Sequence, residues 1–145
     1  MTQINTHNFT VRPSDCDALG HMNVARYIDG SSDAGFSVQA AWGLTPEDVQ
    51  TGRKLAFVVV NLNANFFREL RVRDQVAVRS ELLKLGTKSA TVIHRFFRQS
   101  DGAEEEVFNG TFTLILMDLA NRKSTEIPDD LRRDILAAHA MAAES

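Results

Sequence analysis

The sequence predicts an α+β fold in which an antiparallel sheet packs against one long helix and a second helix closes the chain. Three observations carry this. Small and apolar residues recur at helical spacing from Val24 to Trp42. From Leu55 to Leu119 the pattern changes to period two, in runs separated by short turn-forming stretches. After Pro128 an amphipathic helical pattern returns. A helix with one smooth stripe, followed by consecutive strands able to cover it, implies two packed layers.

The first strand is read at Thr6 to Arg12, where Phe9 and Val11 alternate with Thr10 and Arg12. Pro13 has no N–H to give a ladder and stops it. A polar loop, Ser14 to Met22, leads to Asn23, a fitting N-cap. The helix stripe comprises Val24, Tyr27, Ile28, Ser31, Ala34, Gly35, Val38, Ala41 and Trp42. Gly30 and Gly35 each cost about 1 kcal/mol relative to alanine inside a helix, so something must approach the backbone closely there. Gly43 suits the left-handed position after a helix end. Thr45-Pro46-Glu47 reads as the cap and first turn of a short helix.

Phe57 to Phe67 alternates most clearly. Val58, Val60, Leu62, Ala64 and Phe66 are expected on a core face, and Asn61, Asn63 and Asn65 on a face that meets water, ligand or another subunit. Val72, Val76, Val78 and Leu82 continue into a further strand, with a bend at Asp74-Gln75. Leu85 to Lys88 is a turn, Ala90 to Arg98 a strand, Gln99 to Gly102 a turn and Val107 to Leu119 the last long strand. The final helix is expected over Asp129 to Ala142, amphipathic through Leu131, Ile135, Leu136 and His139.

The 145 residues fit one domain, 1–145, with 43% hydrophobic and 24% charged residues. A net charge of -3 offers no field for nucleic acid. One cysteine excludes an intrachain disulfide and fits a reducing compartment, so a cytoplasmic location is expected. The N-terminus lacks the charged and apolar regions of a signal peptide, and no apolar run reaches membrane-spanning length.

The chemistry concentrates in the loop before the long helix, which holds Asp15, Cys16, Asp17, Gly20 and His21. A helix N-terminus presents unpaired N–H groups and partial positive charge, which suit a developing oxyanion. A carboxylate beside it is an arrangement for acyl transfer. Asp17 can act as nucleophile or general base, or can simply turn the chain. His21 can orient a water or bond a backbone carbonyl. Asp15 reads as a structural acceptor. A Cys16–His21 nucleophilic pair is disfavoured because flanking aspartates oppose a thiolate. A metal site of Asp15, Asp17 and His21 lacks a completing ligand.

The run Asp15-Cys16-Asp17-Ala18-Leu19-Gly20-His21-Met22-Asn23 with Tyr27 resembles the start of hotdog-fold acyl-CoA thioesterases of the 4-hydroxybenzoyl-CoA thioesterase type, whose pattern is roughly D-x-D-x-x-G-H-x-N-x-x-x-Y. The element order agrees along essentially the whole chain. The resemblance implies a hotdog fold, an antiparallel sheet of about five strands wrapped around one long central helix, plus a C-terminal helix. It implies hydrolysis of an acyl-CoA thioester by a homodimer or homotetramer with active sites at the subunit interface, and no metal or organic cofactor. Carried over by position, Asp17 is the catalytic carboxylate and the N–H near Val24 holds the thioester oxygen. His21 and Asn23 join them as site residues. Many relatives carry Glu-Ala-Arg further along the helix; here the run is Asp33-Ala34-Gly35, which leaves Asp29 and Asp33 as lesser carboxylate candidates. Arg68, Arg71, Arg73, Lys84, Lys88, Arg95 and Arg98 can gather at strand ends and turns as contacts for CoA phosphates or can be plain solvated charges, and of that region Lys88 and Ser89 are the chosen CoA contacts. A hotdog enoyl-CoA hydratase using Asp17 and His21, and a non-catalytic acyl-CoA-binding module, remain alternatives.

Overall fold

In the computed structural model, which describes residues 3–140, alternation and turns give β1 (Ile4–Thr10), a 3-10 turn at Pro13–Asp15, α1 (Val24–Ala41) and α2 (Pro46–Gln50). There follow β2 (Leu55–Phe66), β3 (Gln75–Leu85), β4 (Ser89–Ser100), β5 (Ala103–Asp118), the two-residue β6 (Lys123–Ser124) and α3 (Asp129–Ala140). The sheet order is β1-β3-β4-β5-β2, every neighbour antiparallel, with β6 paired to the end of β5. The expected α+β architecture is therefore present, with a sixth short strand added. The last two residues of the expected final helix, Met141 and Ala142, lie outside the described residues.

Local chemistry explains the boundaries. β1 starts two residues earlier than expected, and its pairing persists to Val11, whose N–H donates to the Asp74 carbonyl at 2.9 Å. Pro13 then ends it. Thr45 caps α2 through the Asp48 N–H, and Gly43 holds φ +88 after α1. Val72 falls outside β3, because Arg73 at φ 77 breaks the strand just before Gln75. Asp101 and Gly102 both have positive φ, the backbone of a two-residue hairpin turn.

The β2 expectation needs correcting. Val59 is opposite Leu114 and Asn61 opposite Thr113, so Val60 is an extra residue in a bulge. The bulge reverses the side-chain phase. Leu55, Phe57 and Val59 face the helix before it, and Leu62, Ala64 and Phe66 after it, each opposite an even-numbered residue of β5. Val58 shares the outer face with the asparagines, which are exposed. Nor is the inner face sealed: Leu62 is 39% and Phe66 49% exposed. The reason is the placement of α1, which packs chiefly over β1, β3 and β4 and leaves the β5–β2 half of the sheet partly uncovered.

On α1, Tyr27, Gly30, Ser31, Ala34 and Val38 are buried, while Val24 and Ala41 at the ends of the expected stripe are exposed. The close approach expected at Gly30 is the Phe96 ring, which would lie 3.1 Å from an added Cβ. Gly30→Leu should therefore destabilise the fold by about 1–3 kcal/mol through overpacking, read as a lower urea midpoint with unchanged slope.

Candidate active site

A tight loop holds the motif. Cys16 and Met22 form an antiparallel bridge, and the Met22 N–H donates to the Leu70 carbonyl at 2.7 Å. The Asp17 N–H donates to the His21 carbonyl at 3.1 Å, and Gly20, at φ +88, donates its N–H to the Asp17 carbonyl. Asp17 Oδ1 accepts from the Leu19 N–H at 2.9 Å, and Oδ2 from the Asn23 amide at 3.4 Å. Asn23 Oδ1 in turn caps α1 by accepting from the Ala25 N–H at 2.9 Å. Asp17, Asn23 and the start of α1 are thus one hydrogen-bonded unit. The Val24 N–H has no acceptor among the described residues, as expected for the first turn of a helix.

Asp15 has a different role. It is buried, accepts from the Arg12 N–H at 2.8 Å, and pairs with Arg12 and Arg26 across the 3-10 turn. Asp29 pairs with Arg26 and Asp33 with His7, on the β1 side of α1.

His21 and Val24 line a groove of about 310 Å³ with Met22, Tyr27, Phe66 and Phe67. Asp17 is not among the residues that line it; its carboxylate bonds Asn23, the residue before Val24. No hydrogen bond links the Asp17 carboxylate to the His21 ring. Lys88 and Ser89 lie at the β3–β4 turn, the opposite end of the sheet. The length of β3 separates them from the loop by about 30 Å within one chain, at 3.3 Å per residue. Of the other cations, Arg68 and Arg98 pair with Glu105, Arg71 with Glu69, and Arg95 with Glu81 and Glu106. Among the described residues no three His, Cys, Asp or Glu side chains gather as a metal site, and no helix is long and apolar enough to cross a membrane.

A second groove lies along the seam between α1 and β2. It measures about 440 Å³, is mostly apolar, and is lined by Ile28, Ser31, Gly35, Phe57, Leu62 and Phe112 among others. His94, only 2% exposed, forms part of its floor. Sequence reasoning missed this residue. The signal was its phase: Ala90, Val92, His94 and Phe96 alternate inward, and an ionisable residue breaks the apolar series. Its row across the inner face is polar or small, with Ser80, His94, Gly110 and Ala64 side by side.

His94 Nδ1 lies 2.6 Å from Ser80 Oγ, which lies 2.8 Å from Thr6 Oγ1. Thr6 is the extra residue of a bulge in β1, and its hydroxyl donates to the Val78 carbonyl at 3.3 Å. Burial lowers the His94 pKa from 6.5 to about 4, because a charged ring would lose its hydration. The unfolded chain protonates this histidine near 6.5 and the native state only near 4. Stability is therefore full above that window and falls as pH drops through it. The loss attributable to His94 should reach about 3 kcal/mol. Urea melts at pH 7 and pH 4 check it, since His94→Phe should show that much less acid sensitivity than wild type.

A curled antiparallel sheet around one long helix, closed by a C-terminal helix, is the hotdog fold. The chain belongs to the thioesterase-like superfamily, whose family model matches residues 11–135. It is similar to the long-chain acyl-CoA thioesterase FadM of Escherichia coli K12, at 30% identity over 86% of this chain and 92% of that protein. It is similar also to the 1,4-dihydroxy-2-naphthoyl-CoA hydrolase of Nostoc punctiforme, at 25% identity over 87% of this chain and 82% of that one. In fold it matches the Staphylococcus aureus protein SAV2348, solved in complex with CoA, with TM-score 0.85 and 16% identity over 96% of this chain and 86% of that chain.

Proposed function

We propose that this chain hydrolyses acyl-CoA thioesters to free acid and CoA, with Asp17 as the catalytic carboxylate. The observation that carries the reading is the unit of Asp17, Asn23 and the first turn of α1, which sets a fixed carboxylate beside an uncommitted backbone N–H. The thioester carbonyl would lie over the start of α1 with its oxygen toward the Val24 N–H. Positive potential at the helix end would stabilise the oxyanion that forms there. Asp17, by direct attack or by taking a proton from water, would supply the new C–O bond, and CoA would leave as the thiolate. His21 lines the groove and would orient the carbonyl or the water.

The working unit would be a homodimer or homotetramer with sites at the subunit interface, in the cytoplasm. Support comes from β2, an edge strand whose Val59, Val60, Leu62 and Phe66 are exposed alongside Phe36 of α1. Such an edge is a template for pairing with another chain. Lys88 and Ser89, far from Asp17 within one chain, would contact CoA only from a neighbouring subunit. No metal or organic cofactor enters the scheme. Thiol release from short, long, branched and aromatic acyl-CoAs tests the reaction, and sedimentation tests the assembly. Thiol release from at least one class is expected; binding with no thiol release from any would overturn the hydrolytic reading.

A further inference from the structure

We infer that the reaction at the start of α1 uses a second carboxylate, Glu69, which takes the proton from the water that completes hydrolysis and leaves the attack on the thioester to Asp17. The inference rests on the acyl-CoA reading above and adds a catalytic residue to it.

The groove beside the Val24 N–H holds a carboxylate of its own. Arg68 and Glu69 complete its lining, and Glu69 is the one carboxylate in its wall among the described residues. The backbone around Glu69 is pinned. The Phe67 and Arg68 N–H groups both donate to the Val107 carbonyl, at 2.8 and 3.3 Å. The Glu69 carbonyl accepts from Arg98 at 3.2 Å. The next residue, Leu70, is fully buried, and its carbonyl accepts from the Met22 N–H at 2.7 Å. That bond ties the β2–β3 connection, which carries Glu69, to the motif loop one residue before the helix cap. Burial, opposed by a backbone hydrogen bond at Leu70, raises the pKa of the Tyr27 phenol, and Glu69 is the largest of the charges that add to the rise. The Glu69 carboxylate therefore acts on the Tyr27 hydroxyl across a groove that both residues line.

The two carboxylates use their oxygens differently. Both Asp17 oxygens accept hydrogen bonds, from the Leu19 N–H and the Asn23 amide, which holds the group in one orientation as a nucleophile needs. Glu69 Oε2 pairs with Arg71 at 3.2 Å, and Oε1 accepts no hydrogen bond among the described residues. A carboxylate with one oxygen held and the other open suits a general base. In the first step Asp17 forms a C–O bond to the thioester carbon, the C–S bond breaks, and CoA leaves as the thiolate. The product is a mixed anhydride on Asp17. Water then attacks the acyl carbon, and its proton passes to Glu69 Oε1. The bond from the acyl carbon to Asp17 breaks, which restores the Asp17 carboxylate and frees the acid. The proton on Glu69 returns through solvent to neutralise the thiolate.

The test follows thiol release by Glu69→Gln through its first turnovers, with an acyl-CoA that wild type hydrolyses. Thiol leaves before water enters, so the variant should release about one thiol per active site in a burst. Turnover after the burst should be slower than wild type by a factor on the order of 10² to 10⁴. Intact-mass spectrometry of acid-quenched Glu69→Gln should find the acyl group on the protein, and Asp17→Asn should show neither burst nor acyl group. The melting midpoint of Glu69→Gln should stay near that of wild type, because an exposed pair such as Glu69 with Arg71 contributes little to stability. Wild-type turnover in Glu69→Gln, or a slow variant with neither burst nor acyl-protein, overturns the proposal while thiol release by wild type upholds the hydrolytic reading. No thiol from wild type with any acyl-CoA overturns both.

Discussion

Asp17→Asn is expected to lower kcat for thiol release by a factor on the order of 10² to 10⁴, the usual contribution of a positioned acid or base. The substitution removes charge and keeps shape. The oxygen of the new amide would still accept from the Leu19 N–H at the 2.9 Å position, so the loop should hold. Its nitrogen would face the Asn23 amide, now 3.4 Å from the carboxylate, and donor would meet donor. That mismatch costs a few tenths of a kcal/mol at a part-exposed site, too little to unfold the chain. The melting temperature should therefore stay near that of wild type while turnover collapses. Asn23→Ala separates the roles. Losing the cap should cost about 1 kcal/mol of stability, with a smaller fall in kcat than Asp17→Asn gives. Full activity in Asp17→Asn would remove Asp17 from the chemistry and return it to the role of a turn residue.

Trp42→Ala should produce the largest loss of stability, about 3–5 kcal/mol, the range for deleting a fully buried aromatic ring. Trp42 is completely buried where α1 ends, in the apolar cluster that includes Phe57, Leu116, Leu131 and Ile135. Its ring meets Phe57 edge-on at 5.2 Å between centroids, and its Nε1 donates to His139 Nε2 at 2.9 Å. One side chain thus joins α1, β2 and α3. At a few degrees per kcal/mol for a chain of this size, the midpoint of thermal unfolding should drop by on the order of 10 °C or more. Trp42→Phe should recover the ring packing but not the N–H contact to α3, and so fall between the two. A Trp42→Ala midpoint within a degree or two of wild type would show that α3 is not held by this contact.

The long helix, its cap at Asn23, the hairpins and the amphipathic last helix were legible in the sequence because each rests on local rules: spacing, turn chemistry and capping. Asp17, His21, Asn23 and Val24 are close for the same local reason, being a few positions apart around a helix start, while the roles proposed for them come from the family resemblance. The bulge at Val60 was not legible. Five alternating residues gave no local sign that one would be squeezed out of the ladder, and a single extra residue reverses the inward face. The separation of Lys88 and Ser89 from the loop also required the fold, because chain order does not say which end of a sheet a turn occupies.

His94 marks the boundary between the two kinds of knowledge. Its inward phase was written in the strand pattern. Its partners Ser80 and Thr6, 14 and 88 residues away, became neighbours only through strand pairing. Near-neighbour spacing alone determined the elements and the motif loop, since those interactions act within a few residues. Cross-strand register and the position of α1 over one half of the sheet decided the grooves and the partners of a buried imidazole, because those depend on contacts between distant parts of the chain.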